Sequence, residues 1–171
     1  MKVLIVVDPL NDFCTGGALE VKDGEKIFPY VNSIMSDYDL VIMTSEKHPQ
    51  DMDAFASNHE GKKPLETYIN QQGVEDILWP DHCVDGTFGS EFHKDLDFNQ
   101  AKSFYIFKKG LTKYDHPYSG FGAEGLKEFL EEKANGSEID VDVVGLAFDY
   151  CVGETAFDSS SYGFNTRVLF K

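Results

Sequence analysis

Residues 141–164, VDVVGLAFDYCVGETAFDSSSYGF, hold the pattern that decides the fold. The aliphatic run over 141–146 reads as a strand buried on both faces, as parallel sheets require. AFDY is a tight turn, and 151–162 reads as a helix that opens at Cys151. Strand, turn and helix in that order are half of a βαβ unit. The other strand-like runs repeat it: 3–7 (VLIVV), 39–44 (DLVIMT), 104–107 (FYIF) and 166–170 (TRVLF). Helical spacing appears over 25–36, through Ile27, Val31 and Ile34, and over 122–134 (GAEGLKEFLEEKA). This alternation predicts a three-layer α/β/α, doubly wound and mainly parallel sheet. The 171 residues suit a single domain over 1–171.

Charge and cysteine usage narrow the function. The net charge of −15 excludes nucleic acid and anionic membrane surfaces as expected partners and suits a small neutral or cationic substrate. Cys14, Cys83 and Cys151 are too few and too scattered for a disulfide framework. The opening MKVLIVVDPL meets Asp8 too early for a signal peptide, and no run is long enough to span a bilayer. The expected compartment is therefore the reducing cytoplasm.

Two segments break the alternation. Residues 46–59 and 79–92 are rich in His, Asp, Gly and Pro, and long loops in compact α/β domains carry function at the carboxyl ends of strands. Asp8 ends the first strand and would face that crevice, or cap the following turn with Pro9. Asp12 reads as a turn residue. Lys109 ends the strand before Gly110 and can hold a carboxylate, or simply face water. Cys151 at a helix N-terminus would gain thiolate character from the helix dipole; a buried structural Cys is the alternative. Glu46 and His48 are two apart and point to one side of an extended chain, and His82 lies in the second loop. One carboxylate and two imidazoles suit Zn²⁺, with Fe²⁺ or Mn²⁺ as alternatives; loop histidines facing water are the competing reading.

Together these segments resemble the nicotinamidase (pyrazinamidase) branch of the isochorismatase-like cysteine hydrolases. DPLNDFCTGGAL (8–19), LWPDHCVDGTFGSEFH (78–93), KKG (108–110) followed by YSGF (118–121), and GLAFDYCVGETAFDSSSYGF (145–164) match its motifs in order. The resemblance implies a cysteine-dependent hydrolysis of nicotinamide to nicotinate and ammonia. It makes Cys151 the nucleophile, Asp8 the general base and acid, and Lys109 the third member of the triad. It places an oxyanion hole at the N–H groups of Ala147 and Cys151, after a cis Leu146–Ala147 bond, and a ring slot at Phe13, Trp79 and Tyr118. It implies one divalent metal at Glu46, His48 and His82 that positions the pyridine ring, and a homo-oligomer.

The chain departs from the family pattern in three ways. Glu46 stands where Asp is usual, with Lys47 in place of the intervening Trp. Met52 stands where many members have a further His, leaving Asp51 and His59 as other donors in that loop. Family members usually continue through another helix and strand beyond the position of Lys171. The other readings are a different amidase of the family acting on a carbamoyl or ureido compound, and a silent ligand-binding member. A thiol redox protein ranks last, since no CxxC pair exists.

Overall fold

The computed structural model describes residues 1–170. In chain order the elements are β1 (Lys2–Val7), α1 (Phe28–Ile34), β2 (Leu40–Glu46), β3 (Thr67–Ile69), β4 (Glu75–Ile77), β5 (Phe104–Lys109), α2 (Leu126–Ala134), β6 (Asp140–Gly145), α3 (Gly153–Ser161) and β7 (Asn165–Val168). Five strands form one sheet in the order β5-β2-β1-β6-β7, every pairing parallel. The α/β, mainly parallel architecture expected from the alternation is present.

Strand alternation builds two cores. Leu4 and Val6 of β1 point to the face that packs Phe28, Val31 and Met35 beneath α1. Val3, Ile5 and Val7 point to the face covered by Leu126 and Leu130 of α2 and by Val152. Val3, Leu4, Ile5, Val6 and Val7 of β1 are fully buried, so each contributes about 1.5–3 kcal/mol of burial. That explains why β1 is an unbroken aliphatic run and why it lies at the centre of the sheet.

The helices are shorter than their patterns predict. The 25–36 pattern folds as a 3₁₀ turn (Gly24–Ile27), α1 with Pro29 in its first turn, and a second 3₁₀ turn (Met35–Asp37). The 122–134 pattern becomes helical only at Leu126, because Gly125 adopts φ 80°, a left-handed conformation that opens the helix late. The strand expected over 166–170 is paired over Asn165–Val168. The short antiparallel pair β3–β4 lies outside the main sheet and was not predicted.

β1 leads to β2 and β5 on one side, while β6 and β7 lie on the other. The carboxyl ends of β1, β2, β5 and β6 therefore meet at the switch in strand order, where open α/β sheets bind ligands.

Candidate active site

Each main-sheet strand that meets this crevice delivers a reactive group at its end. Asp8 follows β1 directly, Glu46 is the last residue of β2, Lys109 is the last of β5, and Ala147 and Cys151 follow β6. The β2–β5 register pairs Glu46 with Lys109 across neighbouring strands. Asp8 is held in the left-handed region at φ 45°, a conformation that Asp tolerates better than most residues. Its backbone N–H donates to Thr44 Oγ1 (3.0 Å), and Thr44 Oγ1 donates to Asp8 Oδ1 (2.8 Å). Thr44, not anticipated from the sequence, thus fixes the carboxylate. Asp8 Oδ2 stays free of any well-aligned hydrogen bond and lies 3.1 Å from Lys109 Nζ.

Lys109 is 1% exposed, so its ammonium needs partners. Nζ donates to Glu46 Oε1 (2.9 Å) and to the Pro117 carbonyl (2.9 Å), and lies 3.8 Å from Cys151 Sγ. Burial opposes its charge, but Asp8, Cys151 and Glu46 outweigh burial and hold its pKa well above the usual lysine value. Asp8, Lys109 and Cys151, singled out in the sequence, converge here, with donor atoms of Asp8, Glu46 and Cys151 within 4.8 Å of one another.

Cys151 corrects one expectation. It sits in a π-helical turn (Phe148–Val152) leading into α3, not at a free helix end, and is 6% exposed. Burial pushes its thiol far above the usual cysteine range, and Lys109 only partly opposes this. The resting thiol is therefore neutral, and nucleophilic chemistry needs a base to take its proton. Asp8 is raised by burial too, with Lys109 opposing, which makes its carboxylate a stronger base than an exposed one. Cys14 and Cys83 are also buried with their thiols pushed up, but unlike Cys151 neither lines the cavity beside the triad. Asp12 is structural as read: it accepts from the N–H groups of Cys83 (2.7 Å) and Ala18 (3.1 Å).

Beside the thiol lies a histidine cluster. His48 and His82 are buried with Glu46. Nδ1 of His48 lies 3.0 Å from the Gly110 carbonyl, and Nδ1 of His82 lies 2.7 Å from the Pro80 carbonyl. A carbonyl only accepts, so each Nδ1 carries a proton, and each ring turns its Nε2 inward as the atom able to bind a metal. There His48 Nε2 is 3.3 Å from Glu46 Oε1, and His82 Nε2 is 3.4 Å from Glu46 Oε2. Donors about 2.0–2.1 Å from one tetrahedral Zn²⁺ are separated by about 3.3 Å. Lone pairs facing a carboxylate repel unless a cation lies between them. Burial opposes protonation of His82, yet Glu46 and the Pro80 carbonyl raise its pKa, the same demand for positive charge. Burial pushes Glu46 up, but Lys109 and both histidines outweigh it and hold the carboxyl well below its usual value. The donor set therefore fits a divalent metal.

Gly110 makes the His48 anchor possible. It adopts φ 72°, and a Cβ there would lie 2.5 Å from His48 Cε1.

Asp51 and His59 do not reach this cluster. Asp51 is exposed and pairs with Lys113 at 3.6 Å, and His59 Nε2 meets the Asp53 carbonyl at 2.6 Å. Met52 is fully buried against Ala54, Phe55 and Trp79. Lys47 points away to Ser90, donating to its carbonyl (2.7 Å) and hydroxyl (3.0 Å). The residue that joins the cluster is His116: one donor atom each from Glu46, His48, His82 and His116 lie within 4.8 Å of one another. Burial pushes its pKa down to about 3, so its imidazole is neutral. The stretch KYDHPY (113–118) carries no periodicity that marks it from sequence.

A cavity of ≈ 220 Å³ opens between thiol and cluster. Phe13, Trp79 and Tyr118 line it, together with Ala147, Cys151, Glu46, His82 and His116. Trp79 Nε1 donates to Tyr118 Oη (3.1 Å), locking the two rings edge to face. Leu19, Val21 and Tyr150 complete the wall and were not foreseen. The Leu146–Ala147 peptide is cis.

Residues 2–170 match the isochorismatase domain family. The chain is 38% identical over 172 residues to a nicotinamidase of Acinetobacter baylyi, covering 97% of this chain and 78% of that protein. Its structure is similar to that of the yeast nicotinamidase bound to the inhibitor nicotinaldehyde, with TM-score 0.86, 32% identity, and coverage of 99% of this chain and 86% of that one. It is also similar to the pyrazinamidase of Pyrococcus horikoshii in complex with zinc, with TM-score 0.75, 33% identity, and coverage of 98% and 82%. The family match spans every strand of the main sheet, and this chain belongs to the isochorismatase domain family.

Proposed function

We propose that this protein hydrolyses nicotinamide to nicotinate and ammonia through a thioester on Cys151. The observation that carries this reading is the meeting of Asp8 and Lys109 at Cys151, which lines a small cavity together with Glu46 and His82. At ≈ 220 Å³ the cavity suits a single-ring amide better than the drug-sized ligands that fill about 300–1,000 Å³. A chain 38% identical to a nicotinamidase makes the aromatic amide the natural occupant.

In this mechanism Asp8 takes the thiol proton as Cys151 Sγ attacks the carboxamide carbon. The N–H groups of Ala147 and Cys151 receive the oxyanion. Asp8 returns the proton to the departing nitrogen, the C–N bond breaks, and ammonia leaves behind a nicotinoyl thioester. Asp8 then takes a proton from water, which attacks the thioester carbon. The C–S bond breaks, and Cys151 recovers its proton as nicotinate leaves. Lys109 holds Asp8 in place and balances its charge. Phe13, Trp79 and Tyr118 clasp the ring and keep water from its faces.

Glu46, His48 and His82 would hold a divalent metal. The nitrogen-rich donors, and zinc in the pyrazinamidase neighbour, favour Zn²⁺ over Fe²⁺ or Mn²⁺. When bound it supplies a Lewis-acid anchor for the pyridine nitrogen. We place the reaction in the cytoplasm, in salvage of pyridine nucleotides, with a homo-oligomer as the working form. The acidic charge of −15 supports a small-molecule role, and no helix among the described residues is long and apolar enough to cross a membrane.

The test is ammonia release from nicotinamide by purified protein, before and after chelation and with metal restored. Activity that falls on chelation and returns with Zn²⁺ supports the reading. Absence of ammonia under every metal tried overturns it.

A further inference from the structure

His116 has an unusual environment. Its ring edge reaches the cavity wall, yet Nδ1 and Nε2 are both shut from solvent without a hydrogen-bond partner. Leaving such a nitrogen unpaired costs about 1–3 kcal/mol. The ring is packed against its neighbours, with centroids 5.1 Å from His48 and 6.1 Å from His82. His48 Nε2 is likewise buried and without a hydrogen-bond partner. These orphaned nitrogens belong to two imidazoles whose donor atoms lie within 4.8 Å of each other and of the Glu46 carboxylate, close enough to share one bound cation.

The chain also holds His116 in place. The next residue, Pro117, accepts the 2.9 Å hydrogen bond from Lys109 Nζ, which ties the 115–118 segment to the end of β5. Across from it, the Gly110 carbonyl orients His48. Both anchors come from the loop that follows β5, so the same backbone path that sets one donor presents the other. A ligand held this way loses little freedom on binding a metal.

We infer that His116 is a fourth protein ligand of the metal, completing a Glu46–His48–His82–His116 set of one carboxylate and three imidazoles. The inference rests on the metal reading proposed above and changes its content. The site binds a nitrogen-preferring ion more tightly than three donors would, and it leaves fewer coordination positions for water and substrate.

The test uses the full chain stripped of metal, then loaded with Co²⁺ or Zn²⁺. The readouts are Co²⁺ visible absorption and Zn²⁺ affinity by chelator competition, for wild type, His116→Ala and the space-filling His116→Gln. Both variants are expected to bind Zn²⁺ at least tenfold more weakly and to show a changed Co²⁺ spectrum. Added imidazole is expected to restore the spectrum of His116→Ala through the adjoining cavity, which a merely structural role would not allow. Unchanged spectra and affinities overturn the inference. So does a raised KM for nicotinamide with an unchanged spectrum, which would make His116 a substrate contact, and so does wild-type protein that binds neither ion. The nicotinamidase reading fails separately: ammonia release would be absent although Co²⁺ still reports on His116.

Discussion

Lys109 donates a 2.9 Å hydrogen bond to Glu46, and the accepting Oε1 is also 3.3 Å from His48 Nε2. A single carboxylate therefore belongs to both the thiol site and the histidine cluster. The side chain of Glu is longer by about one bond length than the Asp usual in the family, and its Oε1 is within hydrogen-bond reach of Lys109. Lys109 thus faces two carboxylates, Asp8 at 3.1 Å and Glu46 at 2.9 Å.

The two carboxylates make the cost of mutation asymmetric. Lys109→Met leaves two buried anions unpaired and should cost about 3–5 kcal/mol in urea unfolding of metal-stripped protein. Glu46→Gln leaves Asp8 and Lys109 as a balanced pair and should cost less than Lys109→Met under the same conditions. Equal losses for the two variants would contradict the shared-carboxylate arrangement. With Zn²⁺ present, Glu46→Gln should lose metal affinity by tenfold or more.

Asp8 should be separable from the metal. Since the thiol is neutral at rest, Asp8→Asn removes the base and should lower kcat by about 10²–10⁴-fold. Zn²⁺ content after dialysis should match wild type, because Asp8 is not one of the proposed ligands. Ammonia release and metal analysis on the same sample check both halves.

Gly110→Ala tests the backbone that carries His48. The left-handed φ of 72° and the 2.5 Å approach to His48 Cε1 both oppose a methyl group. The variant should lose more than about 1 kcal/mol of stability and bind Zn²⁺ more weakly. Thermal unfolding with and without the ion measures the two effects.

At the opposite end of the sheet, Asp142 predicts a pH effect. It accepts from Tyr38 Oη (2.6 Å) and from Arg167 Nε and Nη2 (2.7 Å each). Burial raises its carboxyl, but these partners outweigh burial and hold the pKa below the usual 3.8. A depressed folded value means stability present above the unfolded pKa and lost as pH falls through the folded one. Asp142→Asn should therefore cost about 1–3 kcal/mol at pH 7 and progressively less below about pH 4. Denaturant melts of both proteins across that range give the difference.

The legible parts of the sequence share a physical cause. VLIVV is aliphatic throughout because β1 is covered on both faces, and a reactive residue directly after such a run lies at the crevice, as Asp8 does, whereas Lys109 reaches the crevice from the end of the more exposed edge strand β5. His116 left no such trace: its partners are His82 and His48, and only the path of the loop after β5 brings them together. The β3–β4 pair was missed because TYI and EDI are short and largely exposed, without an apolar alternation to read. The ionisation of Cys151 was misread because helix position is visible in sequence, while the burial of the thiol and the approach of the Glu46 and Asp8 carboxylates are not.

The most direct test of the proposed mechanism compares wild type with Cys151→Ala for ammonia release from nicotinamide, with mass spectrometry of wild-type protein quenched during turnover. The mechanism predicts a folded variant with no ammonia release, and a nicotinoyl adduct on the Cys151 peptide of wild type. Turnover near the wild-type rate in Cys151→Ala would contradict it.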